Sequence, residues 1–329
     1  MLKGRPMNKA LLIATAFATT TLVTSELSHS RTMGHYAPGV VGVRDLVVPP
    51  SPGFFYAQYN ALYEADRYVD GDGNKRLTVE SEGGELKLDT DVDVMAIAPV
   101  FLWATSTQWL GADYAFLVAP NLGKSSVAAQ LSVLDQAGTI DDGAIGIGDT
   151  FVQPLWLTWR GAQSDVSFGA GVYVPTGKYD AEDGDSIGMG FWTGQIQSSA
   201  YWYLDEARGS ALEFGLTYEA HSEQDDTNVT PGDHVSLEYG FSQYLSQRLE
   251  VGLSGYSAWQ VEKDKRPTGA LGLDPNAKGE IHAFGAQVGY WLTPQLNVAL
   301  RYMKEYEGKA RLQGDWIAIN FIWSPLPMF

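Results

Sequence analysis

From Phe54 to Trp323 the chain alternates apolar and polar residues in long runs, with a period of two. The clearest run is 248–262, RLEVGLSGYSAWQVE. Leu249, Val251, Leu253, Gly255, Ser257, Trp259 and Val261 form a largely apolar set, and Glu250, Gly252, Ser254, Tyr256, Ala258, Gln260 and Glu262 a largely polar one. That is the pattern of a β-strand with two unlike faces. It is more than twice the length of an average soluble strand, about 5–6 residues. Such length with no proline suits a tilted strand that crosses a bilayer.

Twelve such runs are predicted, near 54–67, 92–104, 108–119, 147–160, 163–174, 191–203, 210–221, 233–244, 247–262, 280–292, 295–306 and 314–323. The spacers 105–107, 161–162, 204–209, 245–246 and 293–294 are short. Those at 68–91, 120–146, 175–190, 222–232 and 263–279 are long, and 307–313 is intermediate. Short turns on one side and long loops on the other define an all-β fold, a transmembrane antiparallel up-and-down β-barrel of about 12 strands, as in bacterial outer membranes. A soluble sandwich has shorter strands and needs no such alternation. Residues 34–53 carry Pro38, Pro49, Pro50 and Pro52, a poor basis for a central strand. The expected organisation is a secretory targeting segment at 1–30, a periplasmic or lumen-plugging segment at 31–53, and the barrel at 54–329.

With the apolar set toward lipid, the other set lines the lumen. This places Gln58, Asn60 and Glu64 inward from the first run, and Asp113 and Asp165 from the third and fifth. Glu213, Glu219 and His221 follow from the seventh, His234 and Glu238 from the eighth, Glu250 and Gln260 from the ninth, and Arg301 from the eleventh. A basic charge on the lipid face costs about 2–4 kcal/mol at the midplane, which argues for a register that gathers charges on one set. Twelve strands lie between the filled eight-stranded and the water-filled sixteen-stranded barrels, so a narrow passage or a filled interior both fit.

Composition agrees. The chain has 329 residues, 36 glycines and, from 10 Trp, 17 Tyr and 13 Phe, forty aromatics. Trp103, Trp109, Trp156, Trp159, Tyr201, Trp202, Tyr203, Tyr244, Tyr290, Trp291 and Trp323 gather at strand ends on the short-turn side, as an interfacial girdle does. A formal net charge of −17 argues against nucleic acid as a partner. With no cysteine there is no disulfide or thiolate metal site, and no motif calls for a cofactor. Near the N-terminus, Lys3, Arg5 and Lys9 precede an apolar run over 10–23, the form of a secretory signal peptide and too short for a transmembrane helix. The partners expected from the barrel are outer-membrane lipid and the barrel-assembly machinery, with Phe321 and Trp323 supplying the strand end recognised in assembly.

Other candidate chemistry is thin. His221 and Ser222 are adjacent, which raises lipid hydrolysis as an alternative. Neighbouring strand residues point to opposite faces, however, and no G-x-S-x-G elbow is present. Asp70-Gly71-Asp72-Gly73-Asn74 starts like a calcium loop, but Lys75 stands where glycine is needed and Ser81 where the bidentate Glu is needed. An acidic hairpin tip is the better reading. A structural or adhesive barrel with acidic loops is a further alternative.

Four stretches carry a family resemblance: HYAPG (35–39) with Asp45 and PPSPG (49–53); GIGD (146–149); YVPTGKYD (173–180) with Gly188, Phe191 and Trp192; and PGDHVSLE (231–238). In this order they resemble the outer-membrane barrel family named for the meta-pathway of phenol degradation, over about 35–323. The resemblance implies a barrel that takes up a small hydrophobic or aromatic solute. It implies no catalytic residues. Gly146, Gly148, Asp149, Pro175, Thr176 and Gly177 are its motif positions. Read without the family, Gly146, Gly148 and Asp149 begin a strand, and Pro175-Thr176-Gly177 end one in a turn.

Overall fold

The computed structural model describes residues 34–76, 78–81, 84–133, 136–181, 186–267, 274 and 276–327. The targeting segment expected at 1–30 lies outside them. The first strands are β1 (Gly53–Val69), β2 (Lys75–Arg76), β3 (Thr78–Ser81), β4 (Gly84–Trp109), β5 (Ala112–Ala119), β6 (Leu122–Val133) and β7 (Gln136–Ile147). Then come β8 (Thr150–Arg160), β9 (Ser164–Val174), β10 (Thr193–Tyr203), β11 (Ser210–His221) and β12 (His234–Tyr244). The last are β13 (Leu249–Gln260), β14 (Glu280–Thr293), β15 (Leu296–Lys309) and β16 (Arg311–Trp323).

All ladders are antiparallel, and β1 pairs with both β4 and β16, which closes the sheet. The ring of twelve runs β1, β4, β5, then β8 through β16. Closure removes the unpaired edge that a bilayer cannot hydrate.

Two long spacers expected as loops contain strands. β4 is 26 residues long, and only its second half lies in the barrel wall against β5. Its first half pairs with β3 on one side and β6 on the other, and β6 turns back as β7. These strands form a ribbon that continues the wall beyond the long-loop rim. Alternating runs such as 85–94 have the strand period, and it was the density of carboxylates there that favoured a loop.

Turn chemistry follows the ladder. Leu110 and Gly111 join β4 to β5 with φ of 53° and 76°, the two-residue turn whose twist matches a hairpin. In β8 the chain bulges between Val152 and Leu155, so Pro154 costs the ladder no donor.

On β11 the exposed set is Phe214, Leu216 and Tyr218, and the buried set Ala211, Glu213, Thr217 and Glu219. At the short-turn rim the outward rings are Trp103, Trp109, Trp159, Trp202, Tyr290 and Trp323. Trp156, Tyr201, Tyr203 and Trp291 belong to the buried set instead, so the girdle takes only alternate members of the predicted rings.

Leu216 lies midway along β11, paired with Ser198 and Leu237. Leu216→Arg is expected to lower stability by about 2–4 kcal/mol in denaturant titrations of protein folded into vesicles.

Candidate functional site

Residues 34–52 lie inside the ring and have no strand partner. Their peptide groups therefore need side-chain partners. His35 N and Tyr36 N donate to Glu219 Oε1 at 3.1 and 2.9 Å, and Gly39 N donates to Glu238 Oε1 at 2.6 Å. Val43 N donates to Gln287, Leu46 N to the Tyr201 hydroxyl and Val48 N to Thr158. In the other direction Arg301 donates to Gly39 O, Asn320 to Val40 O, Ser199 to Leu46 O and Arg160 to Val48 O. The Tyr36 hydroxyl donates to Glu238 in a short contact.

Small inward residues make the room. A Cβ on Gly215 would stand 2.8 Å from the Leu46 side chain, and one on Gly240 3.1 Å from Val43. Gly39 itself has φ of 83° and packs against Tyr256 and Trp316, so a side chain there would be both strained and obstructed.

Near the short-turn rim, Arg44 donates to Glu250 at 3.0 Å, to Ser242, and to the carbonyls of Arg208 and Gly209. Its guanidinium also lies 4.8 Å from the Tyr244 ring centre. Asp165 is enclosed by Arg160, Arg208 and the Tyr203 hydroxyl.

At the opposite end Asp149 joins three elements. It follows β7 and accepts from Gly177 N at 3.0 Å, from Met189 N at 2.8 Å, and contacts His35 Nε2 at 2.8 Å. Thr176 Oγ1 donates to Gly148 O, and Gly148 N donates to Asn121 O. Gly177 and Gly188 touch backbone to backbone, since a Cβ on Gly177 would stand 2.6 Å from Gly188 Cα. A hydrogen-bonded chain leads on from His35 through Thr193 (2.7 Å) and His221 (2.7 Å) to His234 (3.0 Å). Burial opposes charge on Asp149, but the bonds from His35, Met189 N and Gly177 N outweigh it and hold the carboxyl below its ordinary value of 3.8. Its stabilising effect is therefore complete above that value and fades only below it.

The structure places Asp113, Asp165, Glu213, Glu219, His221, His234, Glu238, Glu250, Gln260 and Arg301 on the inner side. Asp113 and Gln260 lie at opposite rims, the first bound to Arg160 and the second to Asp264 and Gly279 N. Gln58, Asn60 and Glu64 are on the outer side. They stand in register with Phe321, Ile319 and Asp315, while Tyr59 between them reaches Asp45 and Tyr63 reaches Glu305. The apolar set of β1, with Phe55, Ala57, Tyr59, Ala61 and Tyr63, faces in because it packs on the inner segment and inner cluster. An inverted choice of face reverses every side chain of a strand.

Of the motif positions, Gly146 lies in β7, Gly148 and Asp149 between β7 and β8, and Pro175, Thr176 and Gly177 after β9. The turn reading holds for Pro175, Thr176 and Gly177, but Gly146 ends a strand rather than beginning one, and neither reading contains the bridge through Asp149. His35, Arg44, Thr193, Tyr201 and Glu305 were also missed. The one signal for His35 was its place in HYAPG. Ser222 Oγ accepts from Trp192 N and donates to Glu223 O, while the His221 ring bonds Thr193 and His234, so the two do not form a nucleophile–base pair. Asp70 Oδ1 accepts from Asp72 N and Asn74 N, a side-chain-capped hairpin turn.

The interior holds several apolar clusters, one of them Tyr256, Ile281, Met303 and Trp316 on β13 to β16 around Val40. Phe55, Leu102, Leu117, Phe151, Trp156 and Tyr173, on β1, β4, β5, β8 and β9, form another with Val48. The carboxylates Glu213, Glu219, Glu238 and Glu250 lie on β11, β12 and β13. Below Val48, a cavity of about 360 Å³ lies between Pro49, Pro50 and Pro52 and the β4–β5 rim residues 105–108 and Asp113.

The family described as "Putative MetA-pathway of phenol degradation" matches residues 65–321. An outer membrane channel from Pseudomonas putida F1 is similar in structure, with a TM-score of 0.61 and 12% identity, covering 86% of this chain and 99% of that one. The CymD monoaromatic hydrocarbon channel is more distant, with a TM-score of 0.43 and 11% identity over 92% of this chain and 98% of that one. No curated protein matches the chain. The chain belongs to the phenol-degradation family and has the fold of a bacterial outer-membrane channel.

Asp149→Ala removes a charged acceptor from two backbone amides and His35. Hydrogen bonds to charged groups contribute about 1.5–3 kcal/mol each. Amide exchange at Gly177 and Met189 is therefore expected to rise about tenfold or more at neutral pH, with exchange in β13 unchanged.

Proposed function

We propose that this family member admits small hydrophobic, aromatic compounds through the outer membrane along an apolar strip of its interior. The observation that carries the reading is the continuous strip from Phe151 and Tyr173, beside the Asp149 junction, to Trp156 and Val48, above the cavity at the short-turn rim. A ring moving along that strip exchanges apolar contacts for apolar contacts. The carboxylates across the lumen stay bonded to residues 34–52 and need not be stripped of partners. The family's description, which concerns phenol degradation, supports an aromatic cargo.

Residues 34–52 occupy the lumen, so the reading requires that passage skirts them. Any water that threads past them runs between mostly acidic groups, which favours cations over anions.

The test uses Gram-negative cells, whose lipopolysaccharide leaflet slows hydrophobic solutes that a phospholipid bilayer passes freely. Cells that produce the protein are expected to take up labelled phenol or toluene severalfold faster than cells without it. Leu117→Gln, placed in the strip, should remove most of that gain at equal amounts of folded protein. Uptake equal with and without the protein defeats the proposal. In planar bilayers, residual conductance should be cation-selective by reversal potential.

A further inference from the structure

Gln58 and Asn60 stand on the lipid side of the wall, and nothing in the transport reading uses them. Along the outer face of β1 the order is Phe54, Tyr56, Gln58, Asn60, Leu62, Glu64. Ten residues of strand at about 3.3 Å each, tilted about 40°, rise about 25 Å, which is the height of the apolar band. With Phe54 at one edge and Glu64 at the other, the two amides fall near the middle of the hydrocarbon.

Their own hydrogen bonds leave them half satisfied. The Tyr56 hydroxyl donates to Gln58 Oε1 at 2.8 Å, Gln58 Nε2 donates to Asn60 Oδ1 at 2.7 Å, and Asn60 Nδ2 donates to Ile319 O at 2.6 Å. A primary amide has two N–H groups, so each NH₂ keeps one proton beyond this chain of bonds. Acyl chains offer no acceptor, and headgroups lie outside the band. On other walls the same depth is apolar, as with Phe214 and Leu216 on β11, Leu253 on β13 and Leu300 on β15.

We propose that the outer face of β1, centred on Gln58 and Asn60, is where a second copy of this chain docks. The amide is both donor and acceptor, so it is complementary to itself. Subunits in one membrane are related by an axis along the membrane normal, which keeps every residue at its own depth. Gln58 then meets Gln58 of the second copy and Asn60 meets Asn60, each pair able to exchange two N–H···O bonds. Such bonds within hydrocarbon favour association. The flanks suit close approach: Pro99 lies directly across the ladder from Gln58, and Ile97 and Ile319 flank Asn60.

The chain has no cysteine, so one introduced thiol reports without background. Leu62→Cys places it on the same stripe, on a side chain 52% exposed, and Leu216→Cys places a control of 51% exposure on another wall. Outer membranes carrying each variant are treated with a short thiol–thiol crosslinker. The expected result is at least tenfold more dimer from Leu62→Cys than from the control. Adding Gln58→Leu and Asn60→Leu should bring that dimer down to the control level, while the unboiled protein keeps its folded electrophoretic mobility. Equal crosslinking at the two positions overturns the proposal, as does a Leu62→Cys dimer that survives loss of both amides in folded protein. Either result would assign the stripe to lipid or solute contact.

Discussion

A peptide group that leaves water must find another partner, and this molecule depends on how that requirement is met in two places. In the wall, each strand meets its neighbours until β1 closes on β16, so no ladder ends within the hydrocarbon. In the lumen, residues 34–52 have no ladder, and the partners come from Glu219, Glu238, Gln287, Arg301, Asn320 and others aimed inward. Acidic side chains in a barrel interior usually suggest a charged pore. Here several of them act as acceptors for an irregular backbone. The charge on the inner wall is thus partly structural.

The Asp149 junction extends the same logic to the loops. One carboxylate accepts from the backbone at Gly177 and at Met189 and contacts His35 of the inner segment. A loop that starts after β9 and returns before β10 is thereby joined to the lumen's contents. Gly177 and Gly188 approach so closely that neither has room for a side chain.

The strand count and the rims were legible in the sequence because a two-faced strand repeats its pattern over many residues. β11 and β13 show this plainly, since leucines and rings on one set oppose Glu213, Glu219, Glu250 and Gln260 on the other. β1 was misread in face for a physical reason. Its inner set is aromatic and small because it packs on the inner segment, so the assumption that apolar means lipid-facing reversed Gln58, Asn60 and Glu64. The first half of β4 was missed as a strand because its acids, tolerable above the membrane, resembled a solvated loop. The Asp149 bridge was illegible for another reason. His35 lies 114 residues away, and neither residue belongs to a periodic pattern. Short motifs marked both places without showing that they meet.

The inner segment comes first in the chain, yet its holders come late. Tyr36 needs β11 and β12, Gly39 needs Arg301 of β15, and Val40 needs Asn320 of β16. Its later residues, Leu46 and Val48, meet β8 and β10, but its first residues are not fully held until β15 and β16 arrive. Contacts of such long sequence separation form slowly. Closure of the wall and full seating of its contents therefore draw on the same last strands, and the start of the inner segment waits longest for its partners.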